Sequence, residues 1–330
     1  MTRNHLVFFS LIILFLSIVG SEALAAPQEN TDPKASAETQ DKDKNKKSSA
    51  DETVSEKNND ENADNSSNSP RIKSRRELKI IAPTNAFKNK ESDLKHYLPE
   101  KIIHPLLVGP EDHITLINTN NTENNKGIMV LLPDWQQTAA SPKALNALRK
   151  VLPDQGWTTI SVLPPNKPLN YPSQMIDKKQ REEENKTSLE EYQQKLAKIL
   201  TAVTEKAKTF PGIIVVVAEG HNAALLFNIY QQELSELPTA LVILSAHLND
   251  DLANLSSATS LSQLELPVLD LHLSADNYLV SKNIKLRKKL VNKELKSNFR
   301  QKKIYNIQTS YYPKDSLIKE INGWLKFIGW

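Results

Sequence analysis

The 330-residue chain contains no cysteine and only eight glycines. Without cysteine it forms no disulfide, and the apolar run near its start is not followed by the cysteine that a bacterial lipoprotein anchor requires. The scarce glycines form neither a phosphate-binding loop nor a dinucleotide fingerprint, so no cofactor is predicted. Basic stretches without interleaved aromatic residues argue against nucleic-acid binding. We therefore expect a fold that is stabilised by its hydrophobic core alone.

Residues 1–25 have the organisation of a secretory signal peptide. Arg3 precedes a 14-residue apolar run, Leu6 to Val19, and Ala23-Leu24-Ala25 suits cleavage after Ala25. The run is shorter than the roughly 20 residues of a membrane-spanning helix, and no later stretch reaches that length. The sequence predicts a periplasmic or secreted bacterial protein with no transmembrane segment after cleavage. The alternative is that the segment is retained as a membrane anchor.

The next zone is polar and acidic. Residues 26–70 carry eleven Asp and Glu against six Lys, and Val54 is their only large apolar residue. Such a segment cannot bury enough apolar surface to offset the entropy lost on ordering. We expect a disordered linker over residues 26–76 and a domain over residues 77–330. Because residues 71–330 have a net charge of +8, an acidic linker leads into a basic domain.

Apolar strands alternate with amphipathic helices from about residue 77. "GIMVLLPDW" (127–135) is a continuous apolar run, which is typical of a strand buried on both faces. "SLEEYQQKLAKILTAVTEKAKTF" (188–210) has the period of an amphipathic helix. Such alternation predicts an α/β fold, a mostly parallel sheet covered by helices on both faces. Further strands are predicted at 113–118, 157–165, 212–219, 240–246, 267–275 and 303–310, and further helices at 141–153, 223–236 and 316–330.

One stretch, "VVVAEGHNAALL" (215–226), has the outline of a nucleophile elbow, the strand-to-helix turn written G-x-S-x-G in serine hydrolases. Asn222 stands where that motif has serine. Asparagine tolerates the left-handed backbone region, so we expect Asn222 to occupy the turn at positive φ and to point into the cleft. An amide nitrogen is not an acyl-transfer nucleophile. The sequence therefore predicts the shape of the elbow without its chemistry.

The order of these elements resembles the α/β-hydrolase fold over roughly residues 100–330. The segments "GIMVLLPDWQQ", "LRKVLPDQGWTTISVLPP", "GHNAALL", "LPVLDL" and "FRQKKIY" are similar to an uncharacterised family of exported bacterial α/β-hydrolase-like proteins. The resemblance implies a fold and a compartment but no reaction. It also implies that Asp276, just after a strand, stands at the position of the catalytic acid. The catalytic histidine is expected within 309–316, but the chain has no histidine after His272.

Other polar residues follow predicted strands, where such sheets bind ligands. Asp134 and Trp135 lie after the strand at 127–135, and His221 lies beside the elbow. Ser245 and His247 follow the strand at 240–246. Asp134 and His247 are candidate catalytic residues, and Trp135, His221 and Ser245 are candidate binding residues.

These candidate residues allow two non-standard sites. In the first, His247 acts as a base with Ser245 or a water molecule, supported by Asp276 and Asp134. In the second, a metal ion is held by His221, His247 and Asp276. Neither has a recognised spacing signature, so no metal is predicted.

The stretch "SKNIKLRKKLVNKELKSNFRQKK" (281–303) carries ten Lys and Arg against one acid. Apolar residues recur at helical spacing, so one helix is predicted with an apolar stripe inward and a basic face outward. Lys285, Lys288, Lys289 and Lys293 form that face; the stripe comprises Leu286, Leu290, Val291, Leu295 and Phe299. A solvated surface helix and a surface that attracts anionic envelope components are both compatible with the pattern.

Two functions follow from these observations. The first is an exported pseudo-hydrolase that binds a partner or a small ligand as a scaffold of the cell envelope. The second is an esterase-like hydrolase with a non-standard site around His247 and Asp276. Asn222 and the missing late histidine favour the first.

We predict that the mature protein begins at Ala26, because the short apolar run is followed by a small-residue cleavage site. N-terminal sequencing of the protein purified from an exporting host measures this directly. Material that begins mostly at Met1 or Thr2 would contradict the prediction.

Overall fold

The computed structural model describes residues 84–330, so the predicted signal peptide and linker lie outside the described residues. The described part contains seven α-helices, eight strands and two short 3-10 turns (Glu100–Ile102 and Leu152–Gln155). The strands are β1 (Ile103–Val108), β2 (Glu111–Asn118), β3 (Gly127–Leu132), β4 (Trp157–Val162), β5 (Ile213–Glu219), β6 (Ala240–Leu244), β7 (Val268–Leu273) and β8 (Phe299–Ile304). The helices are α1 (Ala86–Tyr97), α2 (Ala144–Val151), α3 (Lys178–Lys208), α4 (Gly220–Gln231), α5 (Asp251–Gln263), α6 (Tyr278–Lys293) and α7 (Lys314–Phe327).

All eight strands form one sheet in the order β1-β2-β4-β3-β5-β6-β7-β8. Strand β2 pairs antiparallel with β1 and β4, and every pair from β4 and β3 across to β8 is parallel. This mostly parallel sheet confirms the predicted α/β-hydrolase fold. The carboxyl ends of β3, β5, β6 and β7 share one edge of the sheet, where ligands bind in open α/β sheets.

Alternate side chains of the central strands enter two separate cores. Ile128 and Val130 of β3 pack on the side of α3 and α4, whereas Met129 and Leu131 pack on the side of α2 and α7. Strand residues alternate between the two faces because the side-chain period is two. A strand buried on both faces is therefore apolar throughout, as the unbroken run in β3 predicted.

Several boundaries differ from the sequence prediction. Helix α3 begins ten residues before the predicted start, because the side chain of Asp177 caps it by accepting a hydrogen bond from the backbone N–H of Gln180. The last strand was predicted at 303–310 but is β8 at Phe299–Ile304. Helix α1 and strand β1 were not predicted, because both are mostly polar or half-exposed.

The predicted helix over 281–303 is wrong in its second half. Helix α6 ends at Lys293, and Leu295 adopts a positive φ of 52° and is exposed. The chain then turns into β8, which includes Phe299. Of the predicted apolar stripe only Val291 is buried, with Leu286 and Leu290 half-buried.

The inward side of α6 instead carries an arginine. Arg287 is 3% exposed and forms a bidentate ion pair with Asp270 of β7, at Nε–Oδ2 2.8 Å and Nη2–Oδ1 3.1 Å. Its Nη1 donates to the carbonyl of Ala246 at 2.7 Å, and Gln301 donates to the same carboxylate at 2.8 Å. Because every charge here is paired, the ion pair fixes α6 against the sheet; losing one partner of such a pair typically costs about 3–5 kcal/mol.

No helix within residues 84–330 combines the length and apolar character needed to cross a membrane.

Candidate functional site

A cavity of about 110 Å³ opens at the carboxyl edge of the sheet. It lies where β3, β5, β6 and β7 end, and the loops after these strands supply its walls. The residues that carry polar or charged groups into it include Asp134, Glu219, Ser245, His247, Asp276 and Tyr312. Four of the residues predicted from sequence, Asp134, Ser245, His247 and Asp276, are thus brought together.

The strand-to-helix turn after β5 is made by Gly220. Its φ is +63°, in the left-handed region, and α4 begins at this residue. A Cβ placed on Gly220 would lie 2.7 Å from the carboxyl carbon of Asp134, closer than side chains pack. In serine hydrolases the nucleophile occupies such a turn between strand and helix. Here a side chain at this position would collide with the carboxylate of Asp134.

The prediction that Asn222 occupies this turn is wrong. Asn222 lies in the first turn of α4 with ordinary helical backbone, and its side chain is fully buried rather than facing the cavity. Its Nδ2 donates to the carbonyl of Pro133 at 2.6 Å, and its Oδ1 accepts from the hydroxyl of Tyr192 at 2.8 Å. The left-handed turn forms two residues earlier because glycine adopts positive φ at no steric cost. Asn222 therefore ties α4 to the end of β3 and to α3.

The carboxylate of Asp134 lies beside the turn and accepts two backbone hydrogen bonds. The N–H of Trp135 donates to Oδ1 at 2.9 Å, and the N–H of His221 donates to the same oxygen at 3.0 Å. In serine hydrolases the oxyanion hole is formed by the N–H after the nucleophile and an N–H from the loop after the third strand. The two donors on Asp134 come from these two positions. The protein's own carboxylate therefore fills the place of the oxyanion.

Asp134 stays ionised in this setting. Burial alone raises the pKa of its carboxyl, but the hydrogen bond and charge of His221 and the two backbone N–H groups outweigh burial and lower the pKa below its ordinary value. His221 Nδ1 lies 3.1 Å from each carboxylate oxygen. A carboxylate that receives several donors is stabilised in its charged form.

Trp135 and His221, predicted as binding residues, lie beneath the cavity. Trp135 is buried, and its ring stacks on the imidazole of His221 with centroids 4.1 Å apart. Tyr171 and Tyr192 pack edge-on against the same indole, each at 5.6 Å. These contacts orient His221 toward Asp134, so Trp135 acts as a packing residue.

Asp276 stands after β7, where the fold places the catalytic acid, but its partner is a serine. The hydroxyl of Ser245 donates to Asp276 Oδ2 at 2.5 Å and lies 2.6 Å from the hydroxyl of Tyr312. Ser245 has a φ of 49°, which its hydrogen bonds to two neighbouring loops help to hold. Burial keeps the pKa of Tyr312 well above its usual value. A catalytic histidine was expected within 309–316. The side chain from that segment that reaches Ser245, the partner of Asp276, is instead the neutral phenol of Tyr312.

His247 faces the cavity but does not contact the hydroxyl of Ser245. Its Nδ1 lies 2.8 Å from the backbone carbonyl of Ser245, so this nitrogen carries the proton and donates. Burial, together with the charge of His221, lowers the pKa of His247, which keeps the ring neutral at physiological pH. Neither His247 nor Asp276 is among the hydrogen-bond partners of Asn222. The pairing of a serine hydroxyl with a histidine base is therefore not formed.

The alternative of a metal held by His221, His247 and Asp276 finds no support in the geometry. Across residues 84–330 no three His, Asp or Glu side chains are placed to hold a metal ion together. The His221 and His247 rings lie 4.5 Å apart in a tilted arrangement, and the Nδ1 atom of each is used locally.

Glu219, the last residue of β5, was missed from sequence. It is 8% exposed, and its Oε1 accepts a 3.3 Å hydrogen bond from Gln137. Its Oε2 is buried and has no hydrogen-bond partner in the described part of the chain. Burial raises the pKa of Glu219 to about 7; the hydrogen bond from Gln137 and the charge of Lys143 oppose this, and the charges of Asp134 and Asp276 add a smaller increase. The signal in the sequence was a lone acid at the end of the apolar run "IIVVVAE".

The predicted basic face lies on α6 and its four lysines are exposed. These are Lys285, Lys288, Lys289 and Lys293, of which Lys293 lies 3.5 Å from Glu294. The face is on the outer side of the helix, opposite Arg287.

The strand order and the cleft at the carboxyl edge of the sheet define an α/β-hydrolase-fold protein. The chain belongs to the family described as "Protein of unknown function (DUF3530)", whose model matches residues 9–327. No curated protein matches the chain.

Among solved structures the chain is similar to a dienelactone hydrolase from Anabaena variabilis, at 12% identity and a TM-score of 0.49 over 68% of this chain and 96% of that one. It is also similar to Est1E from Butyrivibrio proteoclasticus, at 11% identity and 0.48 over 68% and 97% of the two chains. An alpha-beta serine hydrolase homologue from Coxiella burnetii matches at 12% identity and 0.44 over 71% and 100%.

We predict that Glu219→Gln changes how stability depends on pH. A carboxyl whose pKa is raised from 4.5 to about 7 stabilises the fold below pH 4.5, and this contribution is lost as pH rises through about 7. Relative to wild type, the variant should therefore gain up to about 3 kcal/mol in free energy of unfolding between pH 4.5 and pH 8. Urea unfolding at both pH values measures the difference.

The exposed Glu190→Gln on α3 is the matched control, and its stability should follow that of wild type at both pH values. Parallel curves for wild type and Glu219→Gln would show that Glu219 titrates normally.

Proposed function

We propose that this protein is an exported α/β-hydrolase-fold protein that does not carry out serine hydrolysis and serves in the cell envelope by binding. The observation that carries the proposal is the Asp134 carboxylate, which accepts the N–H groups of Trp135 and His221 while Gly220 leaves the elbow without a side chain. A tetrahedral intermediate needs those donors for its own oxyanion. A carboxylate already bonded there both occupies the site and repels a second negative charge.

The other requirements of the reaction fail at separate places. Acyl transfer needs a nucleophile, a base that takes its proton and a group that orients the base. Gly220 offers no hydroxyl, Asp276 is bonded to Ser245, and the chain has no histidine after His272. Because the three members act as a unit, the absence of any one removes most of the rate.

The alternative is a hydrolase that uses His247 with Ser245 or a water molecule. One observation favours it, since Ser245, His247 and Asp276 line the same cavity. Against it, the hydroxyl of Ser245 donates its hydrogen bond to Asp276, and His247 is hydrogen-bonded to the backbone carbonyl of Ser245 rather than to that hydroxyl. The two functions differ in whether His247 is needed for turnover.

We expect the mature protein to hydrolyse short p-nitrophenyl esters no faster than buffer, because no histidine is hydrogen-bonded to a serine hydroxyl in the cleft. Ser245→Ala and His247→Ala should leave this background unchanged, and a fluorophosphonate probe should label none of the three proteins. Initial rates and labelled-protein gels measure both outcomes. Wild-type turnover that falls at least about 100-fold in His247→Ala would establish the alternative.

The partner surface in this proposal is the basic face of α6, Lys285, Lys288, Lys289 and Lys293. Export would place it among anionic lipids and polymers, and the net charge of +8 over residues 71–330 adds a long-range attraction. Each lysine near an anionic membrane contributes about 1 kcal/mol to binding. The four side chains are exposed on one helix, so they can approach one surface together.

We predict that substitution of these four lysines by glutamine weakens binding to phosphatidylglycerol-containing vesicles at least about ten-fold at 50 mM salt. Wild-type binding should fade toward 0.5 M salt, where screening shortens the range of the attraction. Vesicle co-sedimentation measures both effects.

A matched variant carries the same charge change on α3, with Lys179, Lys186, Lys195 and Lys198 replaced by glutamine, and all four are exposed. Equal losses in the two variants would mean that only net charge matters and would remove the specific role of α6.

A further inference from the structure

The cavity at the carboxyl edge contains a buried oxygen without a partner. Glu219 is more than nine-tenths buried and lines the cavity, and its Oε2 has no hydrogen bond within residues 84–330. A buried carboxylate oxygen without a donor costs free energy of about 1–3 kcal/mol or more. Because Glu219 lines the cavity, its carboxyl group is where a donor from a ligand would be stabilised most.

The groups that surround Glu219 favour a cation. Asp134, from the loop after β3, and Asp276, from the loop after β7, are carboxylates that line the same cavity. His247, after β6, is kept neutral because burial lowers its pKa. The cation among the lining residues is Lys143, which is exposed just before α2 and forms no hydrogen bond to Glu219. Carboxyl groups therefore outnumber the cationic side chains that line the cavity.

The size and the acceptors limit the ligand further. A cavity of about 110 Å³ exceeds the roughly 10–15 Å³ that one water requires on this scale, and it accommodates a group of a few heavy atoms. The oxygens of Glu219, Ser245 and Asp276 all line it, which suits a group with several N–H donors. An ammonium group has three such donors and one positive charge.

We propose that this cavity binds a primary ammonium group, with Glu219 as the carboxylate that receives it. The inference deepens the proposed function, on which it rests, because it names a ligand class for a cleft that does not hydrolyse esters. The ammonium group can belong to a free amine, an amino acid or a lipid headgroup. All three present the same –NH₃⁺ to the cavity, and they differ in what lies outside it.

The test is a titration of the ¹⁵N-labelled mature protein with methylammonium chloride, followed by amide chemical shifts around Glu219, Gly220 and Ser245. A ligand of two heavy atoms binds at best with a Kd of about 6 mM, so a saturable shift is expected between about 6 and 50 mM. Parallel titrations with glycine, which represents an amino acid, and with ethanolammonium chloride, which represents a lipid headgroup, distinguish these two sources. The tighter of the two identifies the source.

Two controls separate the site from general charge effects. Tetramethylammonium chloride has the same charge but no N–H donor and is expected to cause no saturable shift. Glu219→Gln should weaken methylammonium binding at least about ten-fold, whereas the exposed Glu190→Gln should bind as wild type does. The comparison of the two ions uses wild-type protein alone, so it holds whether or not the variant folds.

The pH dependence gives a further check. Methylammonium stays protonated throughout, and the pKa of Glu219 near 7 means that the carboxylate form grows as pH rises. Binding should therefore strengthen several-fold from pH 6 to pH 8 in wild type and stay constant in Glu219→Gln.

No saturable shift up to 50 mM methylammonium, or equal shifts with tetramethylammonium, would overturn the inference. Unchanged binding in a folded Glu219→Gln would overturn it too. These results leave the ester-hydrolysis assay unaffected, so failure of the ligand and failure of the proposed function are told apart.

Discussion

The carboxylate of Asp134 joins the ends of two central strands. It follows β3, and its hydrogen bonds reach the N–H of His221, the first residue after the turn that ends β5. The close approach that makes this contact leaves no room for a side chain at Gly220. The same contact holds the imidazole of His221 against Trp135. The geometry of the turn, the charge in the cleft and the packing beneath it therefore all involve one half-buried anion.

Two carboxyl groups in this cleft differ in pKa for a clear physical reason. Asp134 receives backbone N–H groups and His221, which stabilise its charge and lower its pKa. Glu219 receives only a long hydrogen bond from Gln137, and burial raises its pKa to about 7. In enzymes, neighbouring groups whose pKa values are driven apart are often an acid and a base. Here Asp134 already accepts hydrogen bonds from its donors, whereas Glu219 retains an oxygen without a partner in the described residues.

Much of the fold could be predicted from the sequence because parallel strands that are buried on both faces have unbroken apolar sequences. β3 and β5 are examples, and their order with the helices gave the α/β-hydrolase architecture. Helix α1 and strand β1 could not be predicted, since half-exposed elements carry a weak pattern. Strand β8 was displaced by a few residues because it begins inside a run of lysines that resembles a helix face.

The site was predicted in part. Asp134 and Ser245, which directly follow strands, line the cavity as expected from their positions at strand ends, while their predicted roles stay predictions. The elbow was misplaced by two residues, since the G-x-S-x-G spacing makes Asn222 the central residue. The backbone preference of Gly220 and its contact with Asp134 decide the turn instead. Glu219 was missed because its burial depends on loops that are distant in sequence.

Arg287 shows that the burial of a charged residue also depends on contacts that are distant in sequence. It lies in a run of ten basic residues that reads as one solvated face, yet it is buried on Asp270 of β7. A carboxylate buried on a strand needs a partner, and the helix packed on it supplies one. Neither residue reveals the pair by its local pattern, because the two meet only when α6 packs on the sheet.

The positions that form a catalytic triad in serine hydrolases each have a structural partner here. Asp276 receives the hydroxyl of Ser245 and the N–H of Leu273, and it thereby holds the turn after β6. Tyr312, from the segment after β8, contacts that serine and donates to the carbonyl of Leu271. A serine at position 220 would displace Asp134, and a histidine at 312 would remove the phenol from Ser245. Each change would break a contact that already holds a loop, so these positions are tied to the structural partners that the fold gives them.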